Sequence, residues 1–444
     1  MRIKLLLLVG MLGGALWAAE RFESKPADPY FEKFQLHKAP SPSGSVLKRG
    51  DRLAICGDSI TEQKMYSRIM ETYLTVCVPE LDISVRQYGW SGETASGFLA
   101  RMTNDCLRFK PTLATTCYGM NDHGYRPYED AIGKKYREKS TAIVESFKAH
   151  GTRVIQGSPG CVGTKNQPAS AEPGAGTRYV PAWDEPGVEA KNLNLCALRN
   201  IGVEIAVAEK AGFADVFWPM LEAGFRGRQN YGANYAIAGK DGVHPGWAGQ
   251  AVMAYAFLKS FGLNGEIGSI TLDLNSGKAR ASKGHEVAGV KNGEIQIKSL
   301  RYPFCATGDV AVDSSIRSAM TMVPFNQDLN RFMFMAKKGK AKNYKVTWGA
   351  ETKSYSAEQL SKGVNLAAEF ALNPFSEAFA AVDKAVAAKQ SYETKQIKQQ
   401  FRSPEAKADM EAVVARTEAE RAPLVAAMKA AFVPVTHTIR VEAE

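Results

Sequence analysis

The chain has 444 residues, 45% of them hydrophobic and 23% charged, the balance of an ordinary globular protein of about two to three domains. A chain of this length buries a large core and needs no disulfide staples. Its formal charge of +10 is dispersed and accompanied by no nucleic-acid motif, which argues against a nucleic-acid partner and fits attraction to anionic glycans or surfaces.

The first 19 residues read as an export signal: Arg2 and Lys4, then apolar Leu5 to Trp17, then Ala18-Ala19 before Glu20. The apolar run is too short to span a bilayer comfortably, and no second run is long enough, so stable membrane insertion is not expected. The expected location is periplasmic or secreted, an oxidising compartment. Seven cysteines is an odd number, so at least one stays free in a monomer. Cys56 and Cys117 fall in predicted core strands. Cys77 with Cys106, or Cys161 with Cys196, are candidate pairs between which the sequence does not choose. There is no CxxC and no zinc spacing, and no cofactor is called for.

Residues 20–48, with "KAPSPSGSVLKRG", form an extended lead-in. From 49 to 262 strand and helix patterns alternate. Candidate strands are Arg52 to Cys56, Ile83 to Tyr88, Thr112 to Tyr118, Arg153 to Gln156 and Ala214 to Trp218. Helical patterns cover 60–77, 133–150 and 190–211, the last two closed by Gly151 and Gly212, and a final helix follows Pro245. This alternation predicts a parallel sheet covered on both faces, with sites at the carboxyl ends of the strands. A Gly- and Pro-rich loop, 158–189, interrupts it. Residues 263–348 alternate apolar and polar around Asn-Gly and Asn-Ser-Gly turns, the pattern of antiparallel hairpins, with "KKGKAKNYK" at 337–345 as an exposed hairpin turn. Residues 349–444 predict two long helices split near Pro404 and a closing strand, "THTIRVEA".

Four short blocks stand at predicted strand ends: Gly57-Asp58-Ser59, Gly89-Trp90-Ser91-Gly92, Gly119-Met120-Asn121-Asp122 and Asp241-Gly242-Val243-His244-Pro245. Acyl transfer needs a hydroxyl nucleophile, an imidazole to take its proton, a carboxylate to orient that imidazole, and donors waiting for the oxyanion. Ser59 sits where a strand feeds a helix N-terminus, a place equally suited to a helix cap. Gly92 has no side chain to block its N–H, Asn121 offers an amide, His244 is the candidate base, and Asp241 lies three residues before it. Singly, each has a bland reading as a cap, a turn or a helix start. His123 is the one rival base, with only Asp122 beside it as orienter.

In order, "GDSI", "GWSG", "GMND" and "DGVHP" resemble the four blocks of the SGNH hydrolases, also called GDSL esterases. The resemblance covers about residues 50–262. It implies an α/β fold, a three-layer α/β/α sandwich with a five-stranded parallel sheet in flavodoxin-like order. It implies Ser59 as nucleophile, His244 as base and Asp241 as its orienter, with Ser59 N–H, Gly92 N–H and the Asn121 side chain as oxyanion hole. Ile60 stands where many members have Leu, and Gln87 where many have Asn; neither change touches a catalytic position.

The family covers lipases, thioesterases, lysophospholipases and carbohydrate acetylesterases, so the fold does not choose the substrate. Loops near the blocks carry Trp90, Tyr125, Tyr128, Trp183, Tyr231, Tyr235 and Trp247, with Arg126, Arg178, Arg226 and Arg228. Flat aromatics and polar forks suit a sugar, whereas a long acyl chain needs a continuous apolar channel. Trp90, Trp183 and Arg178 are the candidate sugar contacts. With export and positive charge, this points to a carbohydrate O-acetylesterase acting on a small-molecule or glycan ester. A lipid or thioester hydrolase, or a catalytically silent glycan-binding protein, are the alternatives; the intact Ser, Gly, Asn, Asp and His set argues against the silent one.

Overall fold

The computed structural model describes residues 22–164, 166–168, 177–179 and 187–444. The export-signal segment lies outside them. Among the described residues no helix is long and apolar enough to cross a membrane.

The first half is built on five parallel strands: β1 (Arg52–Gly57), β2 (Ser84–Gln87), β3 (Leu113–Cys117), β4 (Arg153–Gly157) and β5 (Gly212–Ala214), in the order β2-β1-β3-β4-β5. Leu53 pairs with Val85 on one side and Leu113 on the other. β3 is buried along its whole length, as expected of a parallel strand covered on both faces. The covering helices are α1 (Ser59–Glu62), α2 (Tyr66–Val76), α3 (Ala95–Asp105), α4 (Asp130–Ala149), α5 (Val188–Ala208), α6 (Phe217–Tyr231) and α7 (Trp247–Ser260). This is the three-layer α/β/α sandwich that the resemblance implies.

Three local readings change. The pattern at 60–77 splits into α1 and α2, with Lys64 between them in the left-handed region. The polar sequence at 95–105 hides α3, which Thr94 caps. The run Ala214 to Trp218 is not a strand: β5 ends at Ala214 and α6 begins at Phe217. Asp215 accepts from the Trp218 N–H at 3.1 Å, and Ser158 Oγ accepts from the Val216 and Phe217 N–H groups at 2.9 Å. These caps satisfy the first helical donors, and Pro219 is tolerated in the first turn. Buried Phe217 and Trp218 are therefore the core face of a helix.

Beyond α7 lie β6 (Glu266–Asp273), β7 (Lys278–Ala281), β8 (His285–Lys291), β9 (Glu294–Ser299), β10 (Arg331–Lys337), β11 (Asn343–Trp348), β12 (Glu351–Ser356) and β13 (Val364–Asn365). They are followed by α8 (Ser376–Lys398), α9 (Met410–Ala431) and β14 (Val435–Ala443). The β6-β7 and β8-β9 hairpins form as expected, the latter turning through Asn292 and Gly293, both with positive φ. The segment 337–345 is not a hairpin turn. It carries the chain from β10, which runs parallel to β6 in a four-stranded sheet, to β11 in a separate five-stranded sheet. The closing strand β14 enters that second sheet between β9 and β11.

Helix α8 packs on α2 and on the exposed edge of the parallel sheet. Lys389 Nζ donates to the Val85 carbonyl at 2.9 Å, and the Gln87 N–H donates to Glu393 at 3.1 Å. An open strand edge carries unpaired backbone groups, and here side chains of a helix occupy them. Lys389 is fully buried, pairing with Glu71 at 3.1 Å and Glu393 at 2.6 Å. One hydrophobic core joins residues of both halves, from Phe31 to Val441. All seven cysteines are buried and unpaired, so neither candidate disulfide forms.

Candidate active site

The site assembles at the carboxyl ends of β1, β2 and β3. β1 stops at Gly57, where a Cβ would lie 2.0 Å from Thr61 Oγ1. Asp58 caps α1, accepting from the Ile60 N–H at 2.9 Å, and Ser59 is the first helical residue. The loop after β2 lies directly on α1: a Cβ on Gly89 would meet the Glu62 nitrogen at 2.2 Å. That loop continues through Gly92 at φ +72°, in the left-handed region that favours glycine. After β3, Asp122 accepts from the Gly119 and Ala95 N–H groups, each at 3.0 Å, tying the third block to the start of α3. The Asn121 amide donates to the Glu93 carbonyl at 2.9 Å, and the Tyr125 hydroxyl donates to Asn121 Oδ1 at 3.2 Å.

The fourth block folds back over this end of the sheet. Asp241 Oδ1 accepts from the Val243 and His244 N–H groups at 2.9 and 2.8 Å. Asp241 Oδ2 lies 2.6 Å from His244 Nδ1, and His244 Nε2 lies 2.8 Å from Ser59 Oγ. Ser59, His244 and Asp241 thus form one continuous hydrogen-bonded chain. Burial raises the Asp241 carboxyl, but the His244 backbone and imidazole, with the Val243 N–H, outweigh it and hold the group below its usual range. His123 has a different setting. It is fully buried with Nδ1 against the Met120 carbonyl, and burial pushes its pKa down to about 4.

Beneath Ser59 lies a group of buried acids. Burial, together with the nearby Asp122 and Glu93 charges, pushes Asp58 up to about 7 against the Ile60 N–H. Burial likewise raises Asp122 to about 6, against the Ala95 and Gly119 N–H groups. Burial also raises Glu93, although Arg101 grips both its oxygens at 2.6 Å and the Tyr118 hydroxyl donates to it at 3.0 Å.

Of the three candidate sugar contacts, only the Trp90 side chain lies among the described residues. Trp90 has three cations against its ring, Arg101 at 5.0 Å and Lys398 and Arg402 at 5.2 Å, so its faces are committed to protein. Trp183 and the Arg178 side chain lie outside the described residues. Tyr235 is buried and bonded to Ser318 Oγ at 2.6 Å, and Tyr231 bonds Thr321 Oγ1 at 2.7 Å. Both hold the C-terminal half. The Arg68 guanidinium lies over Trp247 at 5.5 Å. Tyr125 stays exposed beside Asn121. A cavity of about 260 Å³ adjoins Asn121, lined by Thr94, Asp122, Arg126, Lys135 and Tyr136 among others. Sequence reasoning did not find Glu93, Arg101, Glu62 or Lys398. Their only signal is charge, and the partners lie on separate elements.

A flavodoxin-like parallel sheet with the first three blocks at its strand ends and the fourth on the loop before α7 is the architecture of the SGNH-type esterases. Residues 55–252 match the GDSL-like lipase/acylhydrolase family. No curated protein matches. Among solved structures, a gut microbial diltiazem-metabolizing enzyme is similar at 21% identity with a TM-score of 0.71, covering 92% of this chain and 100% of that one. Its likeness extends the shared fold through the C-terminal half. An acetylxylan esterase from Geobacillus stearothermophilus matches at 21% identity with a TM-score of 0.38, over 49% of this chain and 96% of its own. An alpha/beta hydrolase from the metagenome of Lake Arreo, Spain, matches at 20% identity with a TM-score of 0.37, over 49% and 98%.

Proposed function

We propose that the protein is an exported serine esterase, a carbohydrate O-acetylesterase, with Ser59 as nucleophile. The observation that carries this reading is the Ser59–His244–Asp241 chain at 2.8 and 2.6 Å. Ser59 Oγ attacks the ester carbonyl while its proton passes to His244 Nε2. Asp241 holds Nδ1 protonated and supports the imidazolium. The Ser59 and Gly92 N–H groups and the Asn121 amide receive the oxyanion. One Asn121 N–H is held by the Glu93 carbonyl, which fixes the amide plane and leaves the other for substrate. Collapse expels the alcohol, which takes the proton from His244. Water, deprotonated by the same imidazole, then hydrolyses the acyl-enzyme and restores Ser59.

The cavity beside Asn121 is lined by Asp122, Arg126 and Lys135 together with Ala131 and Ile132, a mixed surface that supports a polar sugar ester over a long acyl chain. Exposed Tyr125, bonded to Asn121, suits a sugar face. Export rests on the sequence of residues 1–19, and mature protein is expected to begin near Ala19 or Glu20. The test is hydrolysis of 4-nitrophenyl acetate against the octanoate, together with acetate release from an O-acetylated glycan. Faster octanoate turnover overturns the acetylesterase reading in favour of a lipid hydrolase. Absence of turnover on any ester overturns the enzyme reading in favour of a glycan-binding protein.

A further inference from the structure

The Gly92 loop presents a physical problem. Nothing lies within 4 Å of the place a Gly92 Cβ would occupy, so packing on that residue does not aim its N–H. The aim must come from its neighbours. Immediately before it, the Ser91 N–H donates to Glu62 Oε2. Glu62 is the last residue of the single turn α1 whose first residue is Ser59. Both Glu62 oxygens are in turn gripped by Lys398 Nζ, at 2.7 and 2.8 Å. Lys398 ends α8, 336 residues away in the chain. On the far side, Arg101 grips Glu93, and Arg402 donates to Asp105 at 3.0 Å. Lys398 and Arg402 also flank Trp90.

We propose that Glu62 and Lys398 act together as positioning residues that hold the Gly92 loop against the Ser59 turn, making the C-terminal helices a working part of the active site. This rests on the reading of Gly92 as an oxyanion donor. The Glu62 carboxylate fixes the Trp90–Ser91 peptide, one unit before the peptide that carries the Gly92 N–H, relative to Ser59, since one short turn carries both Ser59 and Glu62. Lys398 keeps that carboxylate in one rotamer. The side chains are only 23% and 27% exposed, so solvent screens the pair less than an open surface bridge. Surface ion pairs add little to stability, so the effect belongs to geometry at the loop more than to folding.

The test uses the full-length protein and 4-nitrophenyl acetate, with active sites counted by titration with a fluorophosphonate. Lys398→Met and Glu62→Gln are each expected to lower kcat per titrated site about tenfold, with KM within about twofold, because a misplaced oxyanion donor weakens the transition state more than the ground state. Lys398→Arg is expected to retain kcat within about threefold, and Glu62→Gln/Lys398→Met to be no worse than the poorer single variant. A lowered melting temperature with unchanged kcat per titrated site in Lys398→Met means a purely structural pair and overturns the proposal. If the wild type does not hydrolyse the acetate, the reading of the site fails and this one falls with it. If the wild type turns over and Lys398→Met matches it, this one alone falls.

Discussion

His244 Nε2 stands 2.8 Å from Ser59 Oγ, although 185 residues separate the two in the chain. The contact exists because β1 ends at the buried Gly57-Asp58 turn and because Asp241 shapes the loop that carries His244. One Asp241 oxygen fixes the loop backbone and the other faces the imidazole.

Asp241→Asn should keep the loop, since Oδ1 still accepts the two backbone N–H groups. It should lower kcat by about 10³-fold or more through loss of the correct imidazole tautomer and of charge support. Steady-state kinetics on an aryl acetate, with a circular-dichroism check of folding, measures this. Retention of more than a tenth of wild-type kcat would argue against Asp241 as orienter.

Asn121→Ala should lower kcat about 10²- to 10³-fold with little change in KM, because the amide acts on charge that develops in the transition state. A change in KM alone would recast Asn121 as a residue that positions substrate.

The buried Asp58 gives a stability prediction. Its pKa is raised from 3.8 to about 7, so the folded state binds the proton more tightly than the unfolded one. The associated stability is present below about pH 4 and is lost as pH rises through 7. Asp58→Asn keeps an N-cap acceptor for the Ile60 N–H but carries no charge. The variant should therefore gain stability relative to wild type as pH rises from about 4.5 to 8, on the order of a few kcal/mol at the upper end. Melting temperatures of the two proteins across that range test it, and a constant difference would contradict the burial account.

The cysteines give a fourth. All seven are buried and unpaired, and burial pushes the Cys161, Cys196 and Cys305 thiols up to about 12. Native protein should react with a thiol reagent at none of them within minutes, and denatured protein at seven. Titration with a chromogenic disulfide measures both. A fast native reaction, or fewer than seven thiols after denaturation, would contradict the packing described.

Much of this was legible in the chain. Segments that stop at glycine gave four of the parallel strands to within a residue or two: β1 reads as the continuous apolar run of a strand covered on both faces, whereas β2, at the edge, alternates buried Val85 and Gln87 with less buried Ser84 and Arg86. The four blocks were legible because tight turns demand glycine beside functional residues. Phe217 and Trp218 misled, since a short apolar run does not distinguish a strand from the buried face of a helix whose caps, Asp215 and Ser158, are apart in sequence. The support of the Gly92 loop was illegible for a related reason. Glu62 and Lys398 read as ordinary solvated charges until the fold brings them together. Trp90 read as an open stacking face because the sequence does not show the three cations around it.

The central claim is that Ser59 is an activated nucleophile, and the most direct measurement is covalent labelling with a fluorophosphonate followed by intact and peptide mass spectrometry. Wild-type protein should gain one adduct, located on Ser59, with loss of esterase turnover in step. Ser59→Ala should fold, take no label and lose turnover by about 10³-fold or more. A folded Ser59→Ala protein that still hydrolyses acetate at the wild-type rate, or an adduct on another residue, would contradict the account.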